Sequence, residues 1–505
     1  MRERTTWARA IAKRIRAPLL AGACALALAG CVAGPDFPKP APPKTDRYVA
    51  EPLSTTPSAD VAGGNAQKFD VGADIAGNWW TLFHSRQLNG LIEAALAHNP
   101  DLAAAQAALA AAHEATLAQR GEYWPQVQGE FSASREHDPS AALAPVPSNN
   151  AFLYDLYTPQ LGISYAPDVF GLNRRTVESL RAQTQAARFQ MIAAWNTLTS
   201  NVAVAAITDA SLKAQIDATH ELIAIESRSV ELMRYRYSKG GASQLDVSAL
   251  ETQLAQTQAT LPPLVKQRDQ QRHLLAVLTG EYPADAPARD FDLADLQLPS
   301  DLPVSLPSKL VEQRPDVRQA QANWHAASAD VGVAIAERFP QITLSADAGS
   351  TALEIGQLFK TGTGFWTLGA DVLAPVFEGG KLLHQERAAK AAARQAAEQY
   401  RGTVLAAFQD VADTLVALRQ DANALQAAAK AESAARNALD LSQRQLRDGY
   451  IDQLVLADAQ QAWQQARIAL VQARTDRYAD TAALFQALGG GWWNRKELAE
   501  TNDEK

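Results

Sequence analysis

The sequence predicts a mixed fold: all-α for most of its length, with a small membrane-type β part, arranged as an internal tandem repeat of long helical hairpins. Three observations carry this. Residues 172–238 run without a proline or glycine, and 380–447 form a second run of about the same length without a proline. At about 1.5 Å per residue each would extend roughly 100 Å, further than one globular core can cover. Four other segments alternate apolar and polar residues with the period of a strand. Finally, blocks of the first half recur in the same order in the second.

The N-terminus reads as a leader, residues 1–30. Arg2, Arg4, Arg9, Lys13, Arg14 and Arg16 precede an apolar stretch, 17–30, that is too short to span a bilayer as a helix. It ends in Leu28-Ala29-Gly30-Cys31, which resembles the bacterial lipobox, whose cysteine is acylated and becomes the new N-terminus. Cys31 is therefore the expected lipidation site. Val32 follows it where an Asp would hold many lipoproteins at the inner membrane, so outer-membrane sorting is expected. Residues 31–80 are then an extended, lipid-anchored segment. The only other cysteine, Cys24, leaves with the leader, which excludes a disulfide framework. The chain's net charge of −8 carries no nucleic-acid footprint. No later segment approaches eighteen consecutive apolar residues, so any crossing of a membrane falls to strands.

Repeat 1 is expected over 81–281, a Pro-rich linker over 282–307, repeat 2 over 308–488 and a tail over 489–505. The stretch "NPDLAAAQAALAAAHEATLAQRGEYWPQV" at 99–127 aligns without a gap on "RPDVRQAQANWHAASADVGVAIAERFPQI" at 314–342. "LGISYAPDVF" (161–170) aligns on "LGADVLAPVF" (368–377), and "GGASQL" (240–245) on "GYIDQL" (449–454). Each repeat reads helix, strand, loop, strand, long helix, glycine turn, return helix. Strands are expected at about 123–135, 157–167, 340–350 and 364–374, and hairpins over 172–280 and 380–488. Val127, Gly129, Phe131 and Ala133 alternate with Gln128, Glu130, Ser132 and Ser134; Ile342, Leu344, Ala346 and Ala348 alternate with Gln341, Thr343, Ser345 and Asp347. Strands of this length suit a tilted membrane crossing. Four of them cannot close a barrel, and an open sheet edge in lipid leaves backbone amides unpaired. Chains would have to pool their strands: two chains give eight, three give twelve.

The second long helix shows a coiled-coil stripe, with Val404, Phe408, Val411, Leu415 and Leu418 continued by Leu425, Leu439 and Leu446. Both long helices end at glycine turns, 238–243 and 447–452, from which a helix returns.

Several stretches resemble the outer-membrane efflux protein family, the TolC-like channels, in its lipoprotein branch. They are "CVAGPDFPKP" (31–40), "WWTLFHSRQLNGLIEAALAHNPDL" (79–102), "SYAPDVFGLNRR" (164–175), "RPDVRQAQA" (314–322), "APVFEGGK" (374–381) and "ALGGGW" (487–492). The resemblance implies a homotrimer with a twelve-strand outer-membrane β-barrel above a helical α-barrel tunnel in the periplasm. It also implies a periplasmic adaptor and an inner-membrane pump as partners. In that family the tunnel closes near the hairpin tips. Leu454 and Asp458 match its constricting leucine and aspartate, and Asp246 matches a first-copy tip acid used by some members in a latch. Gln461 and Ile451 stand where other members carry arginine, which weakens a salt-bridge latch here.

No enzyme signature appears. The eight histidines show no helical i, i+4 pair, no metal site or cofactor is expected beyond the lipid on Cys31, and "GTGFWTLG" (362–369) lacks the phosphate-loop pattern. Asp101 and Asp316 suit helix N-termini, and Trp79, Trp80, Trp492 and Trp493 suit packing around a tunnel. The expected function is a passive conduit exporting drugs or other small toxic compounds. The alternatives are type I protein secretion, metal-ion efflux, or a lipid-tethered periplasmic coiled-coil scaffold with a soluble sheet.

Overall fold

A computed structural model of the chain describes residues 32–51, 55–137, 139, 152–285 and 291–499. The expected lipidation site, Cys31, and most of the 136–156 loop lie outside the described residues. Two compact units divide the chain. The first comprises Met1–Lys39, Ala110–Ala186 and Ala320–Gln399; the second comprises Pro40–Leu109, Ala187–Gln319 and Tyr400–Lys505. Two helices of 67 residues, α3 (Leu172–Ser238) and α7 (Lys381–Arg447), contribute residues to both.

The first unit holds a four-stranded antiparallel sheet in the order β2 (Gln126–His137), β3 (Leu153–Tyr165), β5 (Gln341–Ser350), β6 (Gly364–Leu373). Two 22-residue helices, α2 (Pro100–Gly121) and α6 (Pro315–Ala336), precede β2 and β5. The later strands fall within a residue of expectation. The first pair is shifted for a local reason: the Trp124 amide closes a turn onto the Gly121 carbonyl, and Pro125 has no N–H to give a ladder. Pairing therefore begins at Gln126 opposite Ser164, and β2 runs on to His137 opposite Leu153. At its other end β3 stops at Tyr165, just before Ala166-Pro167.

The second unit is organised around an aromatic core. Trp79 stacks on Phe485 at 5.1 Å between ring centroids, Phe83 meets Tyr478 at 6.2 Å, and Trp80 meets Trp195 at 5.8 Å. These rings bury large apolar areas and carry most of the packing here. Helix α1 (Arg86–His98) opens on Ser85, whose hydroxyl accepts the Leu88 amide, and buries Leu88, Leu91, Ile92 and Ala95 on one face. The α7 stripe is buried as its spacing requires: Val411, Leu415, Leu418 and Leu425 are within 2 % of fully covered. The 282–307 stretch does more than connect. Phe291, Leu293, Leu296, Leu298, Leu302 and Val304 are buried, and β4 (Asp301–Val304) pairs in parallel with β1 (Lys68–Val71). Short α5 (Pro307–Gln313) follows it.

The residue before each helix-starting Pro-Asp step has the same task. Asn99 accepts the Leu102 amide and donates to the Leu278 carbonyl at the end of α4 (Gln244–Leu278). Arg314 donates to the Ala487 carbonyl at the end of α8 (Gln453–Ala487) and pairs with Asp316 and Asp410. Each ties the start of a helix to the last carbonyls of the returning one, groups that no intrahelical partner reaches.

Candidate functional site

Two features can carry function: the four-stranded sheet and the pair of hairpin turns. In the sheet, register gathers most of the apolar residues on one face, although Leu156, Phe365 and Leu373 fall on the other. Val127 lies opposite Ile163, Gly129 opposite Leu161, Leu161 opposite Ala348, Ala348 opposite Trp366, and Ala346 opposite Leu368. That face is open. Phe131 and Leu161 are each 59 % exposed, Leu368 72 % and Trp366 75 %. The opposite face carries Gln128, Glu130, Ser132, Gln160, Thr343, Ser345, Asp347, Thr367 and Asp371, with Gln160 donating to Glu130 at 3.0 Å. Gly162 sits where a Cβ would come 3.0 Å from an Asp347 carboxylate oxygen. A continuous exposed apolar face of this size marks a surface made for lipid or a partner. The outer strands β2 and β6 each have a neighbour on one side only, so the sheet presents two unpaired edges.

The hairpin turns belong to the second unit. α3 ends at Gly240, in the left-handed region at φ 76°, and α4 begins with a capping box. In it the Ser243 hydroxyl accepts the Asp246 amide, while the Asp246 carboxylate accepts the Ser243 amide and hydroxyl, both at 2.8 Å. The Ser243 amide bond, with its hydroxyl second, holds the Asp246 carboxyl below the usual range. Among the described residues Asp246 has no basic partner; its charge serves its own helix terminus. The clamp between the two helices of this hairpin is Arg234, which grips Glu251 at 2.6 Å. The second turn has Gly449 at φ 80° and Asp452 as N-cap, accepting the Val455 amide. Leu454 is half-buried against a small cluster of Val230, Met233, Val247, Leu250 and Ala457. Asp458, one turn on, is exposed and has no hydrogen-bond or ion partner among the described residues. Leu454 and Asp458 thus share one tip; Asp246 lies on the other hairpin's turn, committed to its cap.

The spacing 453, 457, 460, 464, 467, 471 marks a coiled-coil stripe on α8, yet it is filled by Gln, Ala, Gln, Gln, Arg and Val. Glutamine at such spacing also suits a solvated face, so the sequence alone does not distinguish the two. Gln453, Gln460 and Gln464 are all at least 95 % buried. Gln453 donates to the Ser229 hydroxyl at 3.1 Å, Thr475 donates to the Ser211 hydroxyl at 2.7 Å, and Arg467 pairs with Glu221, all across to α3. The Gln460 oxygen and both amide atoms of Gln464 are buried with no protein partner among the described residues. Gln253 of α4 donates to the Ala457 carbonyl. Glu226 is buried beside it. Burial pushes its carboxyl up, and the polar side chains of Thr257 and Gln253 pull the other way.

Two further arginines, also unforeseen, pin the N-terminal segment. Within the first unit Arg175 donates to the Ala33 and Gly34 carbonyls and pairs with Asp36, while Phe37 stacks on His325 at 4.5 Å. Within the second, buried Arg477 donates to Gln67, Thr56 and the Gly63 and Asn65 carbonyls. No described helix is long and apolar enough to cross a membrane, and no group of three or more metal-ligating side chains occurs among the described residues.

The profile of the outer membrane efflux protein family matches residues 91–281 and 306–490. The chain is 31 % identical over 478 residues to the antibiotic efflux pump outer membrane protein ArpC of Pseudomonas putida, covering 93 % of this chain and 95 % of the relative. Its fold is similar to the outer-membrane channel OprN, at a TM-score of 0.80 and 27 % identity over 92 % of this chain and all of that one. It is similar also to the Campylobacter jejuni CmeC outer membrane channel, at 0.82 and 19 % identity, covering 93 % and 97 %.

Proposed function

The chain belongs to the outer membrane efflux protein family, and from that premise we propose that it is the outer-membrane component of a tripartite efflux system. It acts as a passive, lipid-anchored homotrimeric conduit for drugs or other small toxic compounds. The observation that supports this best is the sheet with one open apolar face, one polar face and two free edges. A soluble sheet would hide its apolar face against a core; this one is left to lipid. Its edges need partners, because unpaired backbone groups in hydrocarbon cost several kcal/mol each. Three chains supply twelve strands with apolar residues outward and polar residues lining the lumen. In this reading the two helical hairpins of each chain, one per repeat, build the periplasmic α-barrel and reach an adaptor and an inner-membrane pump, which provides the energy.

Leu454 and Asp458 form the periplasmic gate. Repeated by three-fold symmetry, the leucine ring excludes water and the aspartate ring sets a negative potential that favours cations. Asp246 shapes its own hairpin turn.

The test is intracellular accumulation of a panel of dyes and antibiotics. Cells lacking the gene are compared with cells complemented by wild type, Cys31→Ala, or the Leu454→Ser/Asp458→Ala double variant. Deletion should raise accumulation several-fold, wild type should restore it, and the double variant should make the outer membrane leaky to large antibiotics. Unchanged accumulation for every compound would remove drug efflux and bring forward protein or metal export, or the tethered scaffold.

A further inference from the structure

We propose that the polar seam between α3 and α8 sets how readily the second hairpin's tip rearranges, with Gln453, Gln460 and Gln464 acting as positioning residues for Leu454 and Asp458. This rests on the reading of that tip as the gate.

The contrast with α7 carries the inference. There the coiled-coil stripe is Val411, Leu415, Leu418, Ala422 and Leu425, all buried. Displacing such a stripe lifts each knob from its hole and exposes apolar surface, so the register is held. On α8 the equivalent positions are mostly polar, and buried Ser211 and Ser229 of α3 meet them; Gln215, Thr219 and Glu226 of α3 are buried as well. An amide side chain offers two donors and two acceptor sites, so it can trade one hydroxyl partner for another as the helices shift. The present register is held by Gln453 on Ser229 at one end and Thr475 on Ser211 at the other. Between them the Gln460 oxygen and the Gln464 amide are buried without protein partners, so part of the seam's hydrogen-bonding capacity is unused in this register. Apolar anchoring of the tip is limited: Leu454 and Ala457 of α8 enter the small cluster with Val230, Met233, Val247 and Leu250, and Leu456 is buried beside them on α8. The tip is thus fastened by exchangeable hydrogen bonds more than by burial.

Gln460→Leu/Gln464→Leu converts the seam to a stripe of the α7 kind. In cells lacking the native gene, this variant should reach the outer membrane in wild-type amounts yet accumulate a fluorescent efflux substrate several-fold above wild type. Gln465→Leu, on the exposed side of α8, should export like wild type. Introduced into the Leu454→Ser/Asp458→Ala background, the two leucines should also reduce the leak. A second arm uses Ser229→Cys/Gln453→Cys, whose oxidation should block export and whose reduction should restore it. Wild-type export by the leucine variant, or equal export by the oxidised and reduced cysteine pair, would overturn the seam's role. Failure of the gate reading is separate: there the Leu454→Ser/Asp458→Ala parent would not leak at all.

Discussion

Arg477 shows how single residues fasten the N-terminal segment. Its guanidinium is 1 % exposed and bonds only neutral groups: the Thr56 hydroxyl, the Gln67 side chain and the Gly63 and Asn65 carbonyls. Burial lowers its pKa without removing the charge. Hydrogen bonds to a charged group contribute about 1.5–3 kcal/mol each, and their loss would leave the buried Gln67 side-chain oxygen unmatched. Arg477→Ala should therefore release residues 56–67, seen as new protease cleavage within that stretch while α7 and α8 stay protected. Nearby, Asp421 is pushed up to about 7, first by burial, then by its hydrogen bond with Asp480 and the charges of Asp480 and Asp476; Arg477 opposes them. A raised carboxyl pKa means the folded state holds a proton that the unfolded chain, near 3.9, has already lost. The stability it brings is complete below that value and is lost as pH rises through about 7. Asp421→Asn should accordingly raise the melting temperature at pH 8 and leave it unchanged at pH 4. Equal shifts at both values would contradict this account.

At the level of elements, the long helices and their ends were legible because local chemistry fixes them. Nothing in 172–238 can break a helix, and glycines 240 and 449 take the left-handed conformation that ends each run. Strand positions followed from alternation, but the first pair's edges did not, because the turn that uses the Trp124 amide decides where the ladder begins. The 282–307 stretch looked like spacer on its prolines and acids. Its leucines are spaced irregularly, so no period announced that β1 and β4 would pair and bury them. The return helix of the hairpin expected over 172–280 does run through Pro262 and Pro263, which lie on an exposed side of α4 where water can take the freed carbonyls. Of the candidate site, Leu454 and Asp458 were found through resemblance, while the glutamine stripe was hidden because polar residues at coiled-coil spacing look solvated. Within the sheet the account makes a face-specific prediction. Leu161→Arg and Leu368→Arg should each reduce assembled protein in the outer membrane, since an arginine on the lipid face costs about 2–4 kcal/mol near mid-bilayer. Gln160→Arg and Thr367→Arg, on the polar face, should assemble normally.

For the whole molecule, a single chain is incomplete by its own physics. Its sheet leaves an apolar face open and two edges unpaired, and the proposed barrel, closed by several copies in a membrane, would meet those needs together. Family membership and the similarity to outer-membrane channels support an outer-membrane location for it. The measurement that addresses it most directly uses single cysteines at Phe131, Leu161 and Leu368 on one face and at Ser132, Gln160 and Thr367 on the other. Each carries a fluorophore in protein reconstituted with lipid, challenged by a lipid-borne quencher and by a water-soluble one. The account predicts lipid quenching alone for the first three and aqueous quenching alone for the second three. Aqueous quenching on both faces would contradict it, and would leave a tethered periplasmic scaffold in place of a channel.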